Sequence, residues 1–129
     1  MSFRCLIACI NDEDLETDHI DAKKAFTQAD IDRTIHVLAP EGFTVDGLHP
    51  SVSKYVLLLK KALEGIKQGS ALWFRLCRGA MLKTRGESWL NETNLYYHPA
   101  LRARIGVFAD DILVGFPSPA REDYKRWKK

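Results

Sequence analysis

The chain has 129 residues, 46% of them hydrophobic and 28% charged, with a formal net charge of +2. Those values suit one folded domain that buries roughly two-thirds of its unfolded surface, and they exclude wholesale disorder. So small a charge is no argument for a nucleic-acid partner by itself. The basic residues are uneven, however, with Lys60, Lys61 and Lys67 in one group and Lys125, Arg126, Lys128 and Lys129 in another. The three cysteines, Cys5, Cys9 and Cys77, are an odd number without paired ligand spacing, which suits a reducing compartment. Cys5 and Cys9 stand one helical turn apart and are expected in the core rather than on a metal. No apolar run approaches the roughly 20 residues of a membrane span, and the first ten residues lack the apolar centre of a secretory signal. The expectation is a soluble intracellular protein, cytoplasmic or nuclear, not secreted and without a membrane partner.

In chain order, Phe3, Leu6, Ile7 and Ile10 recur at helical spacing and predict a short amphipathic helix over 3–12. Residues 16–20 alternate weakly and read as a strand ending in Asp21, and 22–26 as a turn or a single helical turn. Residues 34–38 form the next predicted strand, stopped by Pro40-Glu-Gly42. A loop is expected over 44–54 and a short apolar strand over 55–59. Gly65 and Gly69 bracket a tight segment where backbone can approach a ligand. Ser70 is the expected N-cap of a helix to about Leu82, with Leu72, Leu76 and Ala80 on one face. Residues 94–97 read as a strand, His98-Pro-Ala100 as a turn, and 101–116 as a β-hairpin. Arg121–Lys129 begins a charged helix.

The hairpin carries the most informative stretch, Phe108-Ala-Asp-Asp-Ile112. Apolar runs on either side have the β-branched and aromatic content of buried strands, which places Asp110 and Asp111 at the tip. Asp-Asp is not a preferred two-residue turn, and two adjacent carboxylates repel where neighbouring strands exclude water. Two readings follow: a solvated acidic turn, or a seat for a hard divalent cation that takes carboxylate oxygens. Asp21 ends another predicted strand, and three aspartates converging at one sheet edge would suit two-metal phosphoryl transfer. Asp30 and Asp32 read as a solvated turn. His19, His36, His49 and His98 have no partner at zinc-ligand spacing. Neither a dinucleotide fingerprint nor a Walker loop is present. Ser70 lacks a local partner that would mark a nucleophile. Trp73 and Phe74 are expected to pack a helix into the core rather than stack on bases.

The blocks Asp21-Ala-Lys-Lys-Ala-Phe26, Asp30-Ile-Asp32, Ile35-His-Val37 and Pro40-Glu-Gly-Phe43 resemble the reverse transcriptases of copia-type retrotransposons. So do Leu59-Lys-Lys-Ala-Leu63, Gly65-Ile-Lys-Gln68, Trp73-Phe74, Leu95-Tyr96 and Phe108-Ala-Asp-Asp-Ile112. Their order and approximate spacing agree from about residue 3 to residue 125. Two positions depart from the family pattern: Glu64 stands where tyrosine is usual, and Ala109 where valine is.

The resemblance implies an α+β fold, a polymerase palm-like antiparallel sheet with helices packed on one face. It implies that residues 1–129 are the palm core of a partial reverse transcriptase domain, without the N-terminal fingers or the thumb. Asp21, Asp110 and Asp111 take the places of the catalytic, metal-binding aspartates of an RNA-directed DNA polymerase, holding two Mg²⁺ ions for which Mn²⁺ can substitute. The carbonyl of Ala22 would join them. Phe26 takes the position under the incoming sugar, Gln68 and Gly69 lie by the nucleotide, and Lys67 meets template or phosphate. The implied partners are an RNA or DNA template-primer, deoxynucleoside triphosphates and the rest of a retroelement polyprotein. The alternative is an inactive retroelement remnant that binds nucleic acid non-specifically at most.

Overall fold

A computed structural model describes residues 2–44 and 56–129. Helix α1 spans Ser2–Asp12, followed by strand β1 (Glu16–Asp21), the single turn α2 (Ala25–Gln28), and strands β2 (His36–Leu38) and β3 (Val56–Leu58). Helix α3 (Gly69–Lys83) leads into strands β4 (Glu87–Ser88), β5 (Leu95–His98), β6 (Ala103–Phe108) and β7 (Asp111–Phe116), and helix α4 (Arg121–Lys128) closes the chain. Five strands form one antiparallel sheet in the order β1-β7-β6-β5-β4, and β2 pairs with β3 in a separate ribbon. The α+β class and the palm-like sheet expected from the sequence are therefore present. Of the predicted loop over 44–54, all but Thr44 lies outside the described residues, as does the first residue of the predicted strand 55–59.

The register follows from burial. Val107 pairs with Ile112 and Ile105 with Val114, and all four face one core with Trp73, Cys77 and Met81 of α3 and Tyr124 of α4. Ile105, Val107 and Val114 are fully buried, worth about 1.5–3 kcal/mol each in apolar burial. Slipping β7 by one residue would turn its whole apolar set to the opposite face. The other face takes α1, because Gly106 and Gly115 leave room there: a Cβ at Gly106 would come within 2.5 Å of Leu6, and one at Gly115 within 2.6 Å of Ile10. Helices thus cover both faces rather than one, a correction to the expected layering. Arg104 locks α1 down from the same face, bonding Glu13 at 2.6 and 2.9 Å while lying over the rings of Trp89 and Tyr97.

Several local expectations shift. Cys5 is exposed and Cys9 only partly buried, so this pair is not core. The buried face of α3 is Leu72, Trp73, Cys77 and Met81, while Leu76 is 42% exposed and Ala80 is exposed. A stripe of three apolar residues leaves the helix rotation undetermined by one position, and the bulk of Trp73 decides it. Gln68, not Ser70, occupies the N-cap position, and it makes no side-chain capping bond.

Helix α4 is strapped across the start of β1. Tyr124 stacks on Phe116 with ring centroids 4.2 Å apart and donates its hydroxyl to Asp18 at 2.7 Å. Lys128 reaches the same carboxylate, and Arg121 pairs with Glu16 at 2.7 Å. The Lys128 ammonium first, then the Tyr124 hydroxyl, hold Asp18 below the ordinary carboxylate range. Arg121 does the same for Glu16.

Candidate active site

The three aspartates lie at one end of the large sheet. Six residue pairs join β1 to β7, from Glu16 opposite Phe116 to Asp21 opposite Asp111. Directly opposed residues on one face have Cβ atoms about 4.5–5.5 Å apart. Phe108 pairs with Asp111, so the two loop residues of the hairpin are Ala109 and Asp110. This corrects the expected tip by one residue: Asp111 is the first residue of β7, and only Asp110 is in the turn. Ala109 has φ of +51°, in the left-handed region that a non-glycine residue enters at a cost of about 1 kcal/mol. Two further bonds hold the turn. The amide of Ala22 donates to the carbonyl of Asp110 at 2.9 Å, and the buried indole of Trp73 donates to the carbonyl of Ala109.

Asp21, Asp110 and Asp111 are all exposed. Among the described residues no three His, Cys, Asp or Glu side chains gather into a group that could hold a metal ion. The backbone brings the aspartates to one edge without closing them into a cage. Their chemistry nevertheless fits a hard divalent cation, which takes carboxylate oxygens and keeps several waters. One carboxylate oxygen is already engaged: Nε2 of His19 lies 2.7 Å from Oδ1 of Asp111.

The nucleotide-side candidates fall at the junction of α2 and α3. Gly69 is buried, and a Cβ there would meet the carbonyl of Leu63 at 3.1 Å, Ile66 at 3.3 Å and the ring of Phe26 at 3.9 Å. The glycine lets these pieces close together, and Phe26 packs partly buried against the main core. Gln68 is partly buried, and its Nε2 makes no hydrogen bond among the described residues. Lys67 is exposed. Phe26 and Gly69 are thus brought together, Ala22 is bonded to the aspartate turn, and Asp21 faces Asp111. Both members of the acidic pair 30/32 are exposed, but only Asp32 lies at a bend, beside Arg33 and Arg75 at 3.7 Å. Asp30 forms a β-bridge with Lys61 and pairs with its ammonium at 2.6 Å, so it is solvated without being in a turn.

Two residues have parts that the motifs did not assign. His19 lies two residues before Asp21, and the two-residue period of a strand places both on one face; that spacing was the available signal. Trp73 was expected only as core, and its N–H is what ties α3 to the turn.

Comparison with known proteins identifies the family. The family described as reverse transcriptase (RNA-dependent DNA polymerase) matches residues 1–127. The chain belongs to that family. It is 36% identical over 73 residues, 57% of its length, to the retrovirus-related Pol polyprotein from transposon TNT 1-94 of Nicotiana tabacum. It is 29% and 27% identical over 115 residues, 88% of its length, to the corresponding polyproteins from transposons RE2 and RE1 of Arabidopsis thaliana. The copia-type resemblance read from the motif blocks therefore holds. The chain spans 5% of the first of these polyproteins and 8% of the other two. No solved structure matches it. Among the described residues no helix is long and apolar enough to cross a membrane.

Proposed function

We propose that this chain is the palm core of an RNA-directed DNA polymerase, with Asp21, Asp110 and Asp111 as its metal-binding, catalytic carboxylates. The observation that carries the reading is the pairing of Asp21 with Asp111 at the sheet end where Asp110 turns the hairpin. Three carboxylates at one edge are a hard-oxygen donor set for two Mg²⁺ ions, or Mn²⁺ in their place. When bound, such ions neutralise charge on a transferring phosphoryl group and favour the attacking oxygen. The chain's own residues supply position. The Ala22–Asp110 and Trp73–Ala109 bonds hold the turn in register with β1, which keeps the carboxylates where a triphosphate would meet them. The Ala22 carbonyl is assigned to the same cation. Phe26, braced beside Gly69, is assigned to the underside of the incoming sugar, where its ring would collide with a 2′-hydroxyl. The Nε2 of Gln68, without a partner among the described residues, is a donor for the nucleotide, and Lys67 a contact for template or phosphate. The template-primer, the deoxynucleoside triphosphates and the remainder of a Pol polyprotein are the partners this reading requires, within the cell that holds the nucleic acid.

The test is a Mn²⁺ titration of the folded chain, followed by paramagnetic broadening of its amide resonances. Broadening centred on residues 19–22 and 109–112, and abolished by Asp110→Asn with Asp111→Asn, is expected. Broadening that ignores the double substitution removes the metal assignment and leaves the remnant reading, with non-specific, salt-sensitive binding through the exposed lysines.

A further inference from the structure

We infer that His19 is a positioning residue for Asp111, holding one oxygen of its carboxylate so that the other is presented to a divalent cation. This rests on the metal reading of the aspartates proposed above. In β1 the side chains of Thr17, His19 and Asp21 alternate onto one face, all exposed. The register sets Asp111 opposite Asp21 and Leu113 opposite His19, so His19 is the diagonal neighbour of Asp111, within reach of a long or aromatic side chain. The ring closes that diagonal, with Nε2 2.7 Å from Oδ1.

Stability does not explain the contact. The two side chains are 60% and 55% exposed, and exposed pairs of this kind add little to a fold. Ligation by the ring itself fits poorly too, because a hard cation prefers oxygen, and imidazole suits softer transition metals. A ring N–H donated to Oδ1 leaves Oδ2 and one lone pair of Oδ1 for the cation, and it fixes the torsion of a side chain that is otherwise free at the strand end. Hydrogen-bond partners of ligating carboxylates act in this way.

The experiment measures Mn²⁺ affinity from the free-ion electron paramagnetic resonance signal at one neutral pH. It uses the 129-residue chain, with circular dichroism confirming that each variant is folded. His19→Ala is expected to weaken binding about tenfold or more, while His19→Gln, whose amide N–H reaches to a similar length, stays within about threefold of the parent. Thr17→Ala, on the same face but away from the carboxylates, should bind as the parent does. An alanine variant that binds as tightly as the parent, or more tightly, overturns the inference alone. So does a glutamine variant as weak as the alanine one, which would make the imidazole a ligand. A parent that binds no Mn²⁺ overturns the metal reading first and this inference with it.

Discussion

Trp73 Nε1, on the buried face of α3, donates to the carbonyl of Ala109 at 2.5 Å, so a core side chain is also the clasp of the aspartate turn. Trp73→Phe keeps most of the apolar bulk and deletes the donor. It is expected to lower stability by about 1 kcal/mol, since the acceptor is only partly buried. The amide of Ala22, bonded to the neighbouring Asp110 carbonyl, should exchange faster with solvent. Urea unfolding and hydrogen exchange measure the two effects. An unchanged midpoint with unchanged exchange would show that the turn holds itself.

A glycine in the sheet and a glycine in α3 predict opposite outcomes on substitution. Gly106→Ala sets a methyl 2.5 Å from Leu6 and 3.4 Å from Leu95, both fully buried. Overpacking of that kind costs about 1–3 kcal/mol, and it should push α1 off the sheet. Gly79→Ala, in α3, meets nothing within 4 Å and should stabilise the helix by about 0.5–1 kcal/mol. Thermal unfolding of the two variants should shift in opposite directions, and a Gly106→Ala protein as stable as the parent would contradict the packing of α1.

Acid should loosen α4 first. Asp18 and Glu16 both titrate below their ordinary values in the folded chain, through Lys128 with Tyr124 and through Arg121. A depressed carboxylate contributes stability above its unfolded value, near 4, and loses it as pH falls through the folded value. Melting temperature should therefore fall as pH drops below about 4. Asp18→Asn should flatten that fall, and a parallel profile in the variant would show that the strap contributes nothing.

The cysteines should separate by reactivity. Burial pushes the Cys77 thiol up to about 11, and thiolate is the reacting form. Because the folded value is raised, the contribution of the neutral thiol persists below the unfolded value and is lost as pH rises through about 11. An exposed-thiol reagent at neutral pH should modify Cys5 first and Cys77 only as the chain unfolds. Prompt labelling of Cys77 would contradict its place under the sheet.

The sequence by itself determined the family and every strand but Glu87–Ser88, and it singled out Asp21, Asp110 and Asp111 as the candidates on which the proposed metal site rests. Asp21 and Asp110-Asp111 sit in local patterns, a strand end and an interrupted apolar run, that survive without knowledge of their neighbours. Tertiary packing decided the rest. The turn falls at Ala109-Asp110 because Val107 and Ile112 must share one buried face, and no two-residue turn preference can compete with that burial. Helix α1 crosses the other face because Gly106 and Gly115 become diagonal neighbours on that face only once β6 and β7 have paired. Glu87 and Ser88 become a strand through pairing with Tyr97 and Tyr96 alone, having no apolar signal of their own. The His19–Asp111 contact joins residues 92 apart in the chain. Periodicity places each on a face of its own strand, but only the β1–β7 register, set by the core beneath, brings the two faces into one.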